Sequence, residues 1–151
     1  MSVKDKRALM QILKNTPEFK SFEVVVAEEV IDSYLSDPEK SGYNILIAED
    51  DATVAGYICF GETPCTVGTW DIYWVAVDRE KRGRGIGKAL SEAAETAIKK
   101  ARGRMAIIET SSTAPYENTR RFYLSRNYEL IARIPDFYVP GDDKLIMQKR
   151  L

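Results

Sequence analysis

Thr69-Trp70-Asp71-Ile72-Tyr73-Trp74-Val75-Ala76-Val77-Asp78-Arg79-Glu80-Lys81-Arg82-Gly83-Arg84-Gly85-Ile86-Gly87-Lys88 is the stretch on which the reading of this chain turns. Its first nine residues are rich in β-branched and aromatic side chains and read as a strand. Strict alternation would send Trp70, Ile72, Trp74 and Ala76 to one face and Asp71, Tyr73, Val75 and Val77 to the other. A charged loop punctuated by glycine follows. Beyond it Ile86, Ala89, Leu90, Ala93, Ala94, Ala97, Ile98 and Ala101 form an apolar stripe at helical spacing. Lys99, Lys100 and Arg102 crowd the last turn, where cations favour the helix dipole, and Gly103 is placed to end the helix. Another β-rich run covers residues 104–110. Strand, loop, helix and strand in that order make a crossover of the length that parallel pairing needs.

Outward from this unit the pattern changes on both sides. Residues 4–14 read as a short helix with Leu9, Ile12 and Leu13 on one side, and Ser2 with Asp5 resembles a capping arrangement. Thr16-Pro17-Glu18 reads as the start of a second helix that carries Phe19, Phe22, Val26, Val30 and Tyr34 and stops before Asp37-Pro38. Residues 43–49 and 53–60 are β-rich runs joined at Asp50-Asp51, a hairpin signal. A last helix over about residues 116–126 leads to strands near 128–134 and 144–150, with residues 136–143 as the loop between them. The expected architecture is α+β with a mixed sheet, in a single domain over residues 1–151.

Composition bounds what such a domain can do. A chain of 151 residues, 44% hydrophobic and 30% charged, is long enough to bury a core of its own. The apolar runs are far too short to cross a bilayer, so no membrane partner is expected. Twenty-two Lys and Arg against 23 Asp and Glu give a net charge of −1, which argues against nucleic acid as a partner. Cys59 and Cys65 lack metal-ligand spacing, so no metal is expected and a reducing cytoplasm is the simplest location. There is no histidine. Nucleophile systems of the Ser-His-Asp and Cys-His kind are therefore excluded, and proton transfer falls to a carboxylate, a phenol, a thiol, a lysine or water.

The glycine loop is the chemical signal. Arg82, Gly83, Arg84, Gly85, Ile86, Gly87 and Lys88 put free backbone amides, a helix N-terminus and several cations in one place, a cradle suited to a diphosphate. The P-loop pattern fails because Lys88 is followed by Ala89, and the dinucleotide fingerprint fails because Lys88 stands where its third glycine belongs. Arg82, Gly85 and Gly87 do meet the pattern [R/Q]-x-x-G-x-[G/A].

With that loop in place, the chain over roughly residues 43–150 resembles the GNAT superfamily of acyl-CoA-dependent N-acyltransferases. Residues 74–78 resemble the family's fourth strand and residues 107–112 its fifth. The run Asn118-Thr119-Arg120-Arg121-Phe122-Tyr123 through Asn127-Tyr128 resembles its N-x-x-A-x-x-[FL]-Y-x-x-x-G-F block. Arg121 replaces the usual small residue, and Asn127 replaces a glycine, a mild change because Asn tolerates the left-handed conformation of a helix cap.

The resemblance implies a mostly antiparallel sheet of about six strands with helices on both faces and a splayed parallel pair at the cofactor site. It implies acetyl-CoA as co-substrate. Backbone groups of the Val75-Ala76-Val77 segment would hold the pantetheine arm as an added strand, the amides of residues 82–88 would hold the pyrophosphate, and Asn118 would contact the cofactor. Tyr123 is then the candidate acid for the departing thiolate, with Tyr116 as a possible aid, and Asp71 the candidate base with Glu109 as its rival. The acceptor would be a small-molecule or peptide amine, attacking directly in a ternary complex. A non-catalytic acyl-CoA sensor is the alternative, and a homodimer stays open.

Overall fold

The computed structural model describes residues 1–151 and contains four α-helices and six strands. They run α1 (Val3–Lys14), α2 (Ser21–Ser36), β1 (Asn44–Asp50), β2 (Thr53–Glu62), β3 (Thr69–Val77), α3 (Ile86–Lys100), β4 (Met105–Ser111), α4 (Glu117–Ser125), β5 (Glu129–Val139) and β6 (Asp142–Arg150). The strands form one sheet in the order β1-β2-β3-β4-β6-β5. Every neighbouring pair is antiparallel except β3 with β4, which is parallel, as α3 crossing between them requires. This is the expected mixed α+β architecture, with helices on both faces. No helix is long and apolar enough to cross a membrane.

Two apolar clusters sandwich the sheet. Leu9, Met10, Ile12 and Leu13 of α1 and Ala27, Val30 and Ile31 of α2 pack with Tyr57, Cys59 and Ala76. On the other face Leu90, Ala94 and Ile98 of α3 and Tyr123 of α4 pack with Ile58, Phe60, Ile72, Ala106, Ile108 and Met147.

Several local expectations need correction. Helix α2 begins at Ser21, not at Pro17, because the Thr16 hydroxyl donates back to the Ile12 carbonyl (2.8 Å) and Glu23 accepts the Lys20 amide (2.6 Å). Its buried face is accordingly Ala27, Val30 and Ile31, while Phe22 and Val26 are exposed. In α3 the stripe is narrower than expected. Ala89 and Ala93 are exposed, and Glu95 is buried because Lys149 meets its carboxylate at 2.7 Å. The segment 136–143 is mostly strand, since β5 and β6 run on to a tight turn at Gly141. Of the two free cysteines, Cys59 is buried and Cys65 exposed.

The left-handed residue that closes α3 is Arg102 (φ 61°), with the Gly103 amide bonding the Ile98 carbonyl at 2.8 Å. Gly103 serves another end. A Cβ there would lie 2.3 Å from Ile98 Cγ2 and 2.8 Å from the Trp70 ring. Asn127 (φ 64°) closes α4 in the same geometry, as its side chain suggested, with the Tyr128 amide on the Tyr123 carbonyl at 3.1 Å. We expect Gly103→Ala to destabilise the fold by about 1–3 kcal/mol, the usual cost of overpacking. Urea unfolding measures it, and an unchanged midpoint would mean that Trp70 and Ile98 yield freely.

Candidate active site

The register of β3 decides the shape of the site. Against β2, Phe60 pairs with Ile72 but Cys59 pairs with Trp74, so Tyr73 is an extra, bulged residue. The strict alternation expected from the sequence is therefore broken. Trp70, Ile72, Val75 and Val77 share the α3/α4 face, while Trp74 and Ala76 face α1 and α2. Asp71 thus lies on the face opposite Val75 and Val77, not with them.

The parallel pairing of β3 with β4 covers only Thr69↔Met105 to Ile72↔Ile108. Beyond it β3 stays paired to β2 through Val77 and β4 stays paired to β6 through Ser111. Each strand is held on its outer side, and their facing edges part. On that side the backbone of residues 73–77 has no strand partner, and the Val77 carbonyl is met by Arg82 Nε at 3.4 Å. Val75, Ala76 and Val77 lie along this opening.

The glycine loop closes the same end of the opening. Gly83 (φ 80°) and Gly85 (φ 81°) adopt the left-handed conformation, and a Cβ at either would meet nothing within 4 Å. Their requirement is conformational. Gly85 is the N-cap of α3 and offers no capping side chain, so the first-turn amides around Ile86, Gly87 and Lys88 stay free. Gly87 sits in that first turn without positive φ, where a Cβ would make ordinary contacts with Val77 and Phe122.

The loop's cations are largely engaged. Arg82 forks onto Glu18 at 2.9 and 3.2 Å, Arg84 reaches Asp50 at 3.1 Å, and Lys81 bonds the Asp50 carbonyl and Thr53 at 2.9 and 2.6 Å. Lys88 is exposed, as is Asn118 in the first turn of α4.

The titratable candidates divide between the faces. Tyr123 is buried on the α3/α4 side, with its ring edge-on to Phe122 and Tyr128 at 5.1 and 5.3 Å. Burial pushes its phenol well above the ordinary value. On the α1/α2 side, Glu109 of β4 is one residue past the last β3–β4 pair and is met by Lys144 at 2.5 Å. Asp71 lies inside the paired region opposite Ile107, and its Oδ2 accepts the Thr63 hydroxyl at 2.7 Å.

Around Tyr138 the fold gathers Glu109, Glu23, Asp142 and Tyr116. The Tyr138 phenol is pushed up by burial and by the charges of Glu109, Asp142 and Glu23. Tyr116 is pushed up by burial and by Glu23. Asp142 is buried and takes the Ser111 hydroxyl at 2.5 Å. Cys59 is a core thiol raised to about 12 by burial and has no nucleophilic form near neutrality.

Glu23 and Tyr138 were not singled out from the sequence, since only the tertiary fold brings α2 and β5 to β4. Thr110 was missed too. It is buried one position past Glu109, and its hydroxyl has no partner. A polar residue at an inward-facing strand position was the available signal.

The parted parallel pair with a glycine loop at its mouth is the arrangement that the GNAT resemblance implied. The chain belongs to the GNAT acetyltransferase family: the family's acetyltransferase (GNAT) domain matches residues 41–130. A GNAT-family crystal structure from Desulfovibrio desulfuricans is 34% identical, superposes with a TM-score of 0.95, and covers 98% of this chain and 93% of its own. The PaiA N-acetyltransferase of Thermoplasma acidophilum, solved with coenzyme A, shares the fold at 16% identity, with a TM-score of 0.78 and coverage of 100% and 96%. A ribosomal-protein-alanine N-acetyltransferase from Brucella melitensis does so at 23% identity, with a TM-score of 0.78 and coverage of 98% and 95%. No curated protein matches the sequence.

The glycines give an internal test. Gly87→Ala should leave the melting temperature near that of the parent, whereas Gly85→Ala should lower it by forcing a left-handed alanine, a strain of about 1 kcal/mol or more. Equal effects in thermal melts would contradict the conformational reading of Gly85.

Proposed function

We propose that this protein transfers an acetyl group from acetyl-CoA to a primary amine of a small molecule or peptide, by direct attack in a ternary complex. The observation that carries this is the opening between β3 and β4. It has the glycine loop at its mouth, a buried phenol on one face and a carboxylate–phenol cluster on the other. Acetyl-CoA is a substrate here, and the residues present fit it. The free amides of residues 83–88 suit the diphosphate, the exposed edge of Val75 and Val77 suits the amides of the pantetheine arm, and Asn118 and the unpartnered Thr110 hydroxyl flank its path.

Three chemical demands are then distributed over the two faces. The attacking amine must lose a proton, since an amine of ordinary basicity is charged near neutrality and only its lone pair attacks the thioester. Glu109, at the point where the strands part, is the proton acceptor we assign, directly or through one water. Asp71, set back in the paired region with an oxygen engaged by Thr63, is the second candidate. Tyr123 on the opposite face supplies the proton to the departing thiolate. Its raised pKa keeps it protonated throughout the physiological range, as an acid needs. Carboxylates Glu23, Glu109 and Asp142 favour a cationic acceptor on the α1/α2 side. Two free cysteines support a reducing, cytoplasmic setting.

Turnover is tested by following thiol release from acetyl-CoA with a panel of polyamines, amino acids, aminoglycosides and peptides. Tyr123→Phe should keep acetyl-CoA affinity and lower kcat by ~10²–10⁴, the usual reach of general-acid catalysis. An unchanged kcat with chemistry rate-limiting removes Tyr123 from the mechanism. Glu109→Gln should abolish the acidic limb of the kcat/KM profile while Asp71→Asn retains it; the reverse result makes Asp71 the base. Binding of acetyl-CoA without turnover of any acceptor would favour a sensor.

A further inference from the structure

The connection between α1 and α2 spans the open end of the site and is pinned on both sides by one residue. The Glu18 carboxylate holds both terminal nitrogens of Arg82, in the loop after β3, at 2.9 and 3.2 Å. The Glu18 carbonyl accepts the Tyr116 hydroxyl, just after β4, at 2.9 Å. Two residues on, Lys20 lies 3.8 Å from Asp142 of β6. These contacts join residues 64 and 98 positions apart in the chain, so the short segment 16–20 is a strap across the gap between β3 and β4.

The state of Arg82 gives the strap its meaning. Its remaining nitrogen, Nε, reaches only the Val77 carbonyl, at 3.4 Å. The guanidinium is therefore turned to Glu18 and committed to an internal carboxylate. Partial burial works to raise that carboxyl, but hydrogen bonds from Arg82 and a backbone amide, with the Arg82 and Arg79 charges, outweigh it and leave it below the usual carboxylate range. Glu18 is thus an anion throughout the neutral range. A diphosphate seated on the amides of residues 83–88 would bring a second anion to the same loop, and a fork that matches a carboxylate matches a phosphate equally well.

We propose that Glu18 is an internal stand-in for the diphosphate at Arg82. Cofactor docking transfers the guanidinium from Glu18 to the diphosphate and releases the strap on its β3 side. Tyr116 and Lys20 then hold the segment from the other side alone. The α1/α2 face opens to the acceptor once the cofactor is seated, and Glu18 is the positioning residue that links the two events. This inference rests on the placement of acyl-CoA proposed above.

Titration calorimetry with coenzyme A, and hydrogen exchange of the full chain with and without it, test the proposal. Glu18→Gln keeps the side chain's size and removes the competing charge. It should tighten coenzyme A binding by about 1.4–5-fold, the span of a partly exposed ion pair. A merely structural brace would leave the affinity unchanged or weaken it, and either result overturns the proposal. In an Arg82→Gln background the same substitution should no longer tighten binding; persistent tightening would mean that Glu18 acts by general repulsion and not through Arg82.

In the wild-type protein, exchange at residues 16–20 should quicken when coenzyme A is added. Slower or unchanged exchange there contradicts release. Coenzyme A that binds the wild type, is lost in Gly85→Asp and ignores Glu18 overturns this inference alone. Coenzyme A that does not bind at all removes the underlying placement and this inference with it.

Discussion

Two neighbouring parallel strands that stop pairing halfway are the constraint from which the site follows. The β3–β4 ladder ends at Ile72↔Ile108, although both strands continue. What makes this tolerable is that each is satisfied on its other side, β3 by β2 and β4 by β6. The bulge at Tyr73 bends β3 where the gap begins, and Gly56 lets its backbone approach closely: a Cβ there would stand 2.7 Å from the Ala76 oxygen. The facing edges of β3 and β4 beyond Ile72 and Ile108 are then unpaired within the sheet.

The sheet also separates two chemistries. Its α3/α4 face is largely apolar, with Tyr123 packed among Ile72, Ile108 and Met147 and the Glu95–Lys149 ion pair as its charged exception. Its other face, beyond the cover of α1 and α2, carries Glu109, Lys144, Tyr138 and Asp142. A thioester in the gap would meet a protonated phenol on one side and a charged cluster on the other. In the proposed reaction, attack and departure would fall on opposite faces of the sheet.

Local rules carried much of this into the sequence. The strand at 69–77 and the capped ends of α1 and α4 were legible because a run of β-branched and aromatic side chains, a Ser2–Asp5 pair and an Asn127 cap are written in neighbouring residues. The glycine loop was legible for the same reason. What could not be read depends on pairing between distant segments. The bulge that turns Asp71 away from Val75 arises from the register with β2, which no period of two reveals. The start of α2 was misplaced because Pro17 favours a first helical turn, while the Glu23 carboxylate and the Thr16 hydroxyl settle the matter three and four residues away. The Arg82–Glu18 and Tyr138–Glu109 neighbourhoods join elements that only tertiary packing unites.

The account stands on the claim that the parted edge of β3 and the glycine loop together form one ligand site. A concavity of about 430 Å³ between α1 and residues 78–80, lined by Gln11, Asn15, Val54 and Arg79, offers a different location. A backbone-assigned NMR titration of the full chain with coenzyme A separates the two. The account predicts that the largest amide shifts fall on Val75, Val77 and residues 83–88. Shifts concentrated on Gln11, Asn15 and Val54, with the β3 edge and the loop unmoved, would contradict it.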